Sequence, residues 1–331
     1  MGFHSDLYRP NRRDVLKMLA GSTGAISVAN AATPDWRKQA GLELFTVRDL
    51  LQKDYEGTIA KVAEIGYKEV EPAGGYGGLS PKDYRAMLDR YSLAMPSTHS
   101  GAREGPDLEK ELEGFQIMGL KYIEIGGGGG GRGRGPGGGA PGGAPPPAGA
   151  ATGQPGAGRG RGPRAPLTEE AVKRQAEQLN KHGEIARKFG MKILVHNHTQ
   201  EFATVEGSTT VRQYDILLSQ TDPAVVALQL DIGWASVAGQ DIVGMFRKNP
   251  GRYELWHVKD AKGLKNGPPQ DLRTANLVPV GMGDVDYKTI FKSAELAGMK
   301  HYCVEQDNAA ESGDAIGAAR TSYQNLVRML S

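Results

Sequence analysis

Apolar runs of strand length recur along the chain. They end near Val47, Glu71, His99, Ile125, Asn197, Asp231, Lys259 and Glu305. Between them lie segments whose apolar residues return every three or four positions, the period of a helix with one buried face. Helices are predicted on this basis over 55–65, 81–91, 108–118, 169–189, 211–218, 242–248, 287–297 and 315–330. Gly66, Gly119, Gly190 and Gly298 fall just past helix ends, where a left-handed cap favours glycine. Strand alternating with helix predicts a parallel sheet, and eight such units favour a closed (β/α)8 barrel over an open doubly wound sheet. No G-x-G-x-x-G or P-loop follows the first strand, which weakens a nucleotide-binding reading.

Two segments break the rhythm. Residues 126–166 hold 19 Gly, 8 Pro and 5 Arg with no acid. Such a composition cannot pack a core and is expected to be disordered. It interrupts the fourth strand–helix connection, on the face where barrels keep their active sites. A mobile flap and a tolerated insertion both fit that position. Residues 1–31 read as an export signal. Arg12-Arg13 precede a modestly apolar stretch over 18–28, and Ala29-Asn30-Ala31 offers a small-x-small cleavage site. The paired arginines resemble a twin-arginine signal, which implies a periplasmic or secreted protein. The apolar part is too short to span a membrane. Setting both segments aside leaves 259 residues, near the roughly 250 of a single-domain barrel.

Charge changes the picture little once it is located. The formal total is +2, but five arginines lie in the Gly/Pro tract and a further net +2 lies in residues 1–31, so the remaining body carries −5. A mildly acidic body argues against a nucleic-acid partner, whose binding rests on clustered Lys and Arg. The single cysteine, Cys303, excludes an intramolecular disulfide framework and a cysteine-based zinc site.

The chemistry collects at strand ends. Of seven histidines, His99, His196, His198 and His257 fall there, with Glu71, Asp231, Lys259 and Glu305. In a parallel barrel such residues converge on one face. Glu71 could act as a base or bind a substrate hydroxyl, and His99 could donate to a sugar oxygen. His196 and His198 would share one face of a strand, with Glu201 close behind. Asp231 closes an apolar strand, where a carboxylate needs compensation that a metal can provide. His257 and Lys259 point the same way, and Lys259 could bind or protonate a substrate oxygen. Glu305 is the acid at the eighth strand end. A nitrogen and oxygen donor set without thiolate suits Mn2+, Mg2+, Co2+ or Zn2+.

Several stretches together carry a resemblance. They are Leu42-Glu43-Leu44-Phe45-Thr46-Val47-Arg48-Asp49, Gly66-Tyr67-Lys68-Glu69-Val70-Glu71, His196-Asn197-His198-x-x-Glu201-Phe202, Leu230-Asp231-Ile232-Gly233-Trp234, His257-Val258-Lys259-Asp260, Val280-Gly281-Met282-Gly283-Asp284-Val285-Asp286 and Val304-Glu305-Gln306-Asp307. This pattern resembles the xylose isomerase-like TIM-barrel superfamily, the sugar phosphate isomerase/epimerase group, over about residues 41–330 apart from the Gly/Pro tract. The resemblance implies one divalent metal ion held by Glu, Asp, His and Glu from strands five to eight. Asp231, His257 and Glu305 match the last three. His196 stands where the family's first Glu ends strand five, so either His196 ligates or Glu201 reaches back to do so. His198 matches a position often used as an acid/base. Catalytic candidates are Glu71, His99, His198, Glu201 and Lys259.

The function so implied is a metal-dependent isomerase or epimerase of a sugar or keto-sugar, working through a metal-stabilised enediolate. A lyase that expels a β-leaving group from a keto-sugar or keto-glycoside needs almost the same site. A non-catalytic carbohydrate-binding barrel is the remaining alternative. Export argues against a sugar phosphate. The expected partner is a small-molecule carbohydrate, with no nucleic acid and no membrane span, and a homo-oligomer is left open.

Overall fold

Seven short parallel strands form the spine of the protein in a computed structural model whose described residues are 35–126, 166–264 and 275–331. With a further pair, the nine strands of the described residues in chain order are β1 (Gly41–Glu43), β2 (Glu69–Glu71), β3 (Tyr122–Ile123), β4 (Lys192–His196), β5 (Val226–Asp231), β6 (Leu255–Val258), β7 (Asp260–Lys262), β8 (Asn276–Val278) and β9 (His301–Val304). The parallel sheet runs β2-β1-β9-β6-β5-β4-β3, while β7 and β8 form a separate antiparallel pair. Residues 94–97 close the ring between its two edges. Ala94 bridges Glu69 of β2 and Ser97 bridges Tyr122 of β3, both in parallel sense. The result is a TIM-barrel fold.

Two expected strands differ from the sequence pattern for local reasons. The third, expected to end at His99, forms bridges and no ladder. Pro96 sits inside it and offers no N–H, although its carbonyl still accepts from the Lys121 and Tyr122 amides. The first, expected to run to Val47, stops at Glu43. There the Glu43 carboxylate accepts the Phe45 amide at 2.9 Å and starts a 3-10 turn over Leu44–Val47. The hairpin β7–β8 was not expected. The predicted signal at 1–31 and residues 127–165 of the tract lie outside the described residues.

The helices follow the apolar period closely. Tyr55–Ile65, Leu108–Met118, Ile242–Lys248 and Ala315–Leu330 have the predicted bounds. Asp54, Ser80, Thr168, Asp241 and Asp314 cap helix starts by accepting a backbone N–H three residues on. The predicted helix over 287–297 splits into Tyr287–Phe291 and Ala294–Ala297, and a further helix, Ile232–Val237, follows β5 directly. Their apolar faces bury Ile59, Val62, Leu112, Phe115, Phe246 and Phe291 against the barrel wall. Such a core supplies the burial that fixes the strand ends in space. Among the described residues no helix is long and apolar enough to cross a membrane.

Candidate active site

Because the strands are parallel, their C-terminal residues share one mouth, and the polar residues there pack around Glu71. This residue ends β2 and is fully buried. Its Oε1 lies 2.7 Å from His257 Nε2 and 2.8 Å from His99 Nε2. Its Oε2 accepts the Ser97 hydroxyl and the Gln229 side-chain amide, the latter at 2.7 Å. Gln229 Oε1 in turn meets His99 Nε2 at 2.8 Å and His196 Nδ1 at 3.1 Å. A buried carboxylate is costly unless surrounded by donors, and Glu71 has four.

A second group forms around Lys259, which follows β6. Its Nζ lies 3.1 Å from Asp231 Oδ2, 3.0 Å from Glu305 Oε2 and 2.9 Å from Asp307 Oδ2. The Tyr287 hydroxyl donates to the Lys259 carbonyl at 2.5 Å. Gly233 lets the Ile232–Val237 helix press against this strand end, since a Cβ there would stand 2.4 Å from Lys259 Cβ. Asp231 both ends β5 and caps that helix, accepting the Trp234 amide through Oδ1 at 2.8 Å. Its Oδ2 is thereby aimed into the mouth. Asp260 organises the return loop by accepting the amides of Gly281, Gly283 and Val285. That gives the Val280–Asp286 stretch of the resemblance a structural role.

Burial and charge set the protonation states. Burial would raise Glu71, but His99 and His257 hold its carboxyl well below the ordinary range. Burial lowers an imidazole, yet Glu71 lifts His99, and Glu71 with Glu305 lifts His257, each to about 10. His196 goes the other way: burial, then His257 and His99, push it well below its usual value. Burial and Lys259 bring His198 down to about 4. Burial raises Asp231 against the pull of Lys259, while Lys259 and His257 overcome burial to hold Glu305 low. At neutral pH the mouth thus holds two neutral imidazoles beside two charged ones.

Which of these could hold a metal follows from the donor atoms. One atom each from Asp231, His257 and Glu305 lie within 4.8 Å of one another, and so do one each from His99, His196 and His257. The first trio is held at ion-pair distances with poor hydrogen-bond alignment. Asp231 Oδ2, His257 Nδ1, Asp307 Oδ2 and Lys259 Nζ are buried without a hydrogen bond of acceptable angle. The converging carboxylate oxygens of Asp231 and Glu305, with His257 Nδ1 once that ring gives up a proton, fit a divalent ion, while the Lys259 ammonium does not. His196 Nε2 stands 3.8 Å from Asp231 Oδ2. Glu201, in the 3-10 turn Gln200–Phe202, instead accepts the His198 amide at 2.7 Å. His198 lies just past β4, not on it, and its Nδ1 is buried without a hydrogen-bond partner.

The mouth contains groups the sequence did not single out. Gln229 joins Glu71 to two histidines, and Glu43 is buried and raised well above the carboxylate range by burial and by Glu305. Glu124 is raised to about 7 by burial. Trp234 lies under the Lys259 ammonium, 5.3 Å from Nζ to the ring centre. Gln229 was readable in one respect: it stands two positions before Asp231 on an apolar strand, hence on the same inward face.

Comparison with known proteins agrees with this fold. The family model described as xylose isomerase-like TIM barrel matches residues 148–326, more than half of the chain. An inosose dehydratase of Clostridium tetani is 32% identical over 133 residues, 38% of this chain and 43% of that protein. The chain spans about half the length of the curated relatives it matches. A sugar phosphate isomerase/epimerase from Parabacteroides distasonis superposes with a TM-score of 0.61 at 22% identity, covering 91% of this chain and 96% of that one. The IolI protein, solved with a bound zinc atom, gives 0.58 at 15% identity over 88% and 98%.

Proposed function

The chain belongs to the xylose isomerase-like TIM-barrel family, and on that premise we propose that it is a metal-dependent lyase that dehydrates a neutral keto-polyol. The observation that carries this reading is the sequence similarity to proteins named inosose dehydratase. It favours elimination over the isomerase or epimerase reading that the resemblance first suggested. His196, at the end of β4 where the resemblance expects a glutamate, speaks against a two-glutamate acid/base epimerase.

Asp231, His257 and Glu305 would hold the ion, with His196 as the fourth ligand ahead of Glu201. When bound, a divalent ion supplies Lewis acidity toward a carbonyl and its neighbouring hydroxyl. His198 is neutral and its Nδ1 is unpartnered, so it can take the proton from the carbon beside the carbonyl. His99 is protonated and partly exposed at the mouth, so it can return a proton to the departing β-hydroxyl, which leaves as water. Glu71 is fully buried and reaches substrate only through His99 and His257, so we assign it a positioning role. With no ion bound Lys259 holds the Asp231 and Glu305 carboxylates, and its ammonium lies close enough to the mouth to approach a substrate oxygen.

The test is a panel of inososes and other keto-sugars with Mn2+ in deuterated buffer. Loss of water with formation of an unsaturated or diketo product supports the proposal. Deuterium entry beside the carbonyl with a carbon-inverted or isomerised product, and no loss of water, overturns it in favour of an epimerase or isomerase. We further propose that residues 1–31 direct twin-arginine export of the barrel over 41–330, with 126–166 an insertion within it. Arg12→Lys with Arg13→Lys should retain the protein in the cytoplasm, and normal delivery of that variant would overturn the export reading.

A further inference from the structure

Lys259 and a bound metal would claim the same two oxygen atoms. The ammonium is 3.1 Å from Asp231 Oδ2 and 3.0 Å from Glu305 Oε2. These residues belong to the trio whose donor atoms converge within 4.8 Å. Lysine is not itself a member of that trio, yet its charge lies at the trio's edge and is fully buried. The contacts are made by charge and not by aimed hydrogen bonds, because Nζ and Asp231 Oδ2 both lack an aligned partner. A third carboxylate, Asp307, stands 2.9 Å from Nζ on the more exposed side. Asp307 is outside the trio.

We propose that Lys259 is a built-in counter-ion that stands in for the metal, and that metal loading shifts its ammonium from Asp231 and Glu305 onto Asp307. The argument is electrostatic. Without the ammonium, the His257 imidazolium, 2.7 Å from Glu305 Oε2 but 3.9 Å from Asp231 Oδ2, would be left to balance both buried carboxylates as well as Glu71. With both cations crowded on the same oxygens, the ammonium and the ion would repel. The side chain can yield because it is flexible, whereas its backbone is pinned through the Tyr287 hydroxyl. Asp307, already 2.9 Å from Nζ, keeps the ammonium when the other two contacts are given up. The metal-free protein therefore stays folded, and the ion arrives at a site that is already charge-balanced. Loading then frees one ammonium proton direction toward the mouth, which links metal occupancy to the placement of Lys259 near substrate.

This inference rests on the metal reading above, and its test separates the two. Mn2+ and Zn2+ are titrated calorimetrically into the full chain, into Lys259→Met, into Asp307→Asn and into the double variant, with thermal melts before and after EDTA. Removing the competing charge should tighten metal binding by about tenfold or more in Lys259→Met, since two unit charges this close are strongly coupled. The metal-free Lys259→Met protein should melt below the natural one and gain more on loading. Asp307→Asn should weaken binding several-fold in the natural background, because the displaced lysine loses its seat, and should have no effect once Lys259 is gone. Equal or weaker binding by Lys259→Met overturns the proposal, as does an Asp307→Asn effect of the same size in both backgrounds. If Lys259→Met does not fold, Asp307→Asn alone decides: unchanged affinity overturns the proposal and weakened affinity supports it. Absence of binding by every protein overturns the metal reading itself, and this inference with it.

Discussion

The two ends of the barrel handle buried charge in opposite ways. At the N-terminal ends of the strands, Glu254 receives Lys192 at 2.5 Å on one oxygen and Lys300 at 2.7 Å and the Tyr122 hydroxyl at 2.9 Å on the other. Beside it, His301 Nδ1 meets both oxygens of Glu69, at 2.9 and 3.0 Å. Each acid there has aligned partners. At the C-terminal ends Glu71 is as well served, but Asp231 Oδ2, His257 Nδ1, Lys259 Nζ and Asp307 Oδ2 are equally close to their neighbours and poorly aligned, so these polar atoms remain orphaned. Aligned pairs stabilise a fold, while orphaned buried groups are tolerated where something else is to be bound. The same strands therefore carry a structural floor and a candidate active mouth, on the face where parallel barrels are expected to keep their active sites.

The largest effect should come from the mouth. Glu305→Gln removes one member of the converging trio, and it should lose metal and activity together. The expected fall in turnover is about 10²–10³-fold or more, the scale of removing one preorganised electrostatic contact. Metal analysis beside kinetics checks this. Full occupancy and an unchanged rate would erase the distinction between the two ends. A loss of turnover without loss of metal should separate groups inside the mouth. His198→Ala should keep the metal, because His198 lies outside both donor trios, yet lower turnover by about 10²–10⁴-fold as expected for loss of a general base. An unaltered rate in this variant would move the base to another group, with Glu201 or Lys259 next in line.

The mouth was more legible in the sequence than the barrel that presents it. A polar residue closing an apolar run is a local signal, and Glu71, Asp231, Lys259 and Glu305 were all found that way. Glu43 and Gln229 were not, because one acid or amide inside an apolar strand looks like a tolerated interruption until neighbouring strands are in place. Helices were legible because their period and caps are local. Strand extents were not. A ladder needs a partner in register, and the third strand fails to form one at Pro96, whereas the first is ended by the Glu43 carboxylate capping its own next turn. The short hairpin β7–β8 has no period long enough to read.

A structural change at the floor should leave the chemistry alone. Glu254→Gln keeps the size of the side chain but removes the charge that Lys192 and Lys300 share. Breaking a fully dry pair costs about 3–5 kcal/mol. Lys300 is 55% exposed and Lys192 27%, so solvent screens part of the attraction and about 1–3 kcal/mol is expected here. Denaturant melts measure the loss, and metal content and turnover of the folded fraction should match the natural protein. A variant that loses metal while keeping its stability would show that the floor and the mouth are not separable.

The smallest expected effect is the pH dependence of that same difference. Burial alone would raise the Glu254 carboxyl, but the Lys192 and Lys300 ammonium groups lower it below its ordinary value. The folded state therefore binds the Glu254 proton less readily than the unfolded chain does. Its contribution is fully present above the ordinary carboxylate range and is lost as pH falls through the lowered folded value. The stability gap between the natural protein and Glu254→Gln should be constant from neutral pH down to about pH 5 and then narrow steadily in acid. Urea melts of both proteins across that range measure it. A gap that widens in acid would mean that Glu254 is stabilised in its protonated form, which would place an unpaired acid at the floor as well and remove the contrast with the mouth.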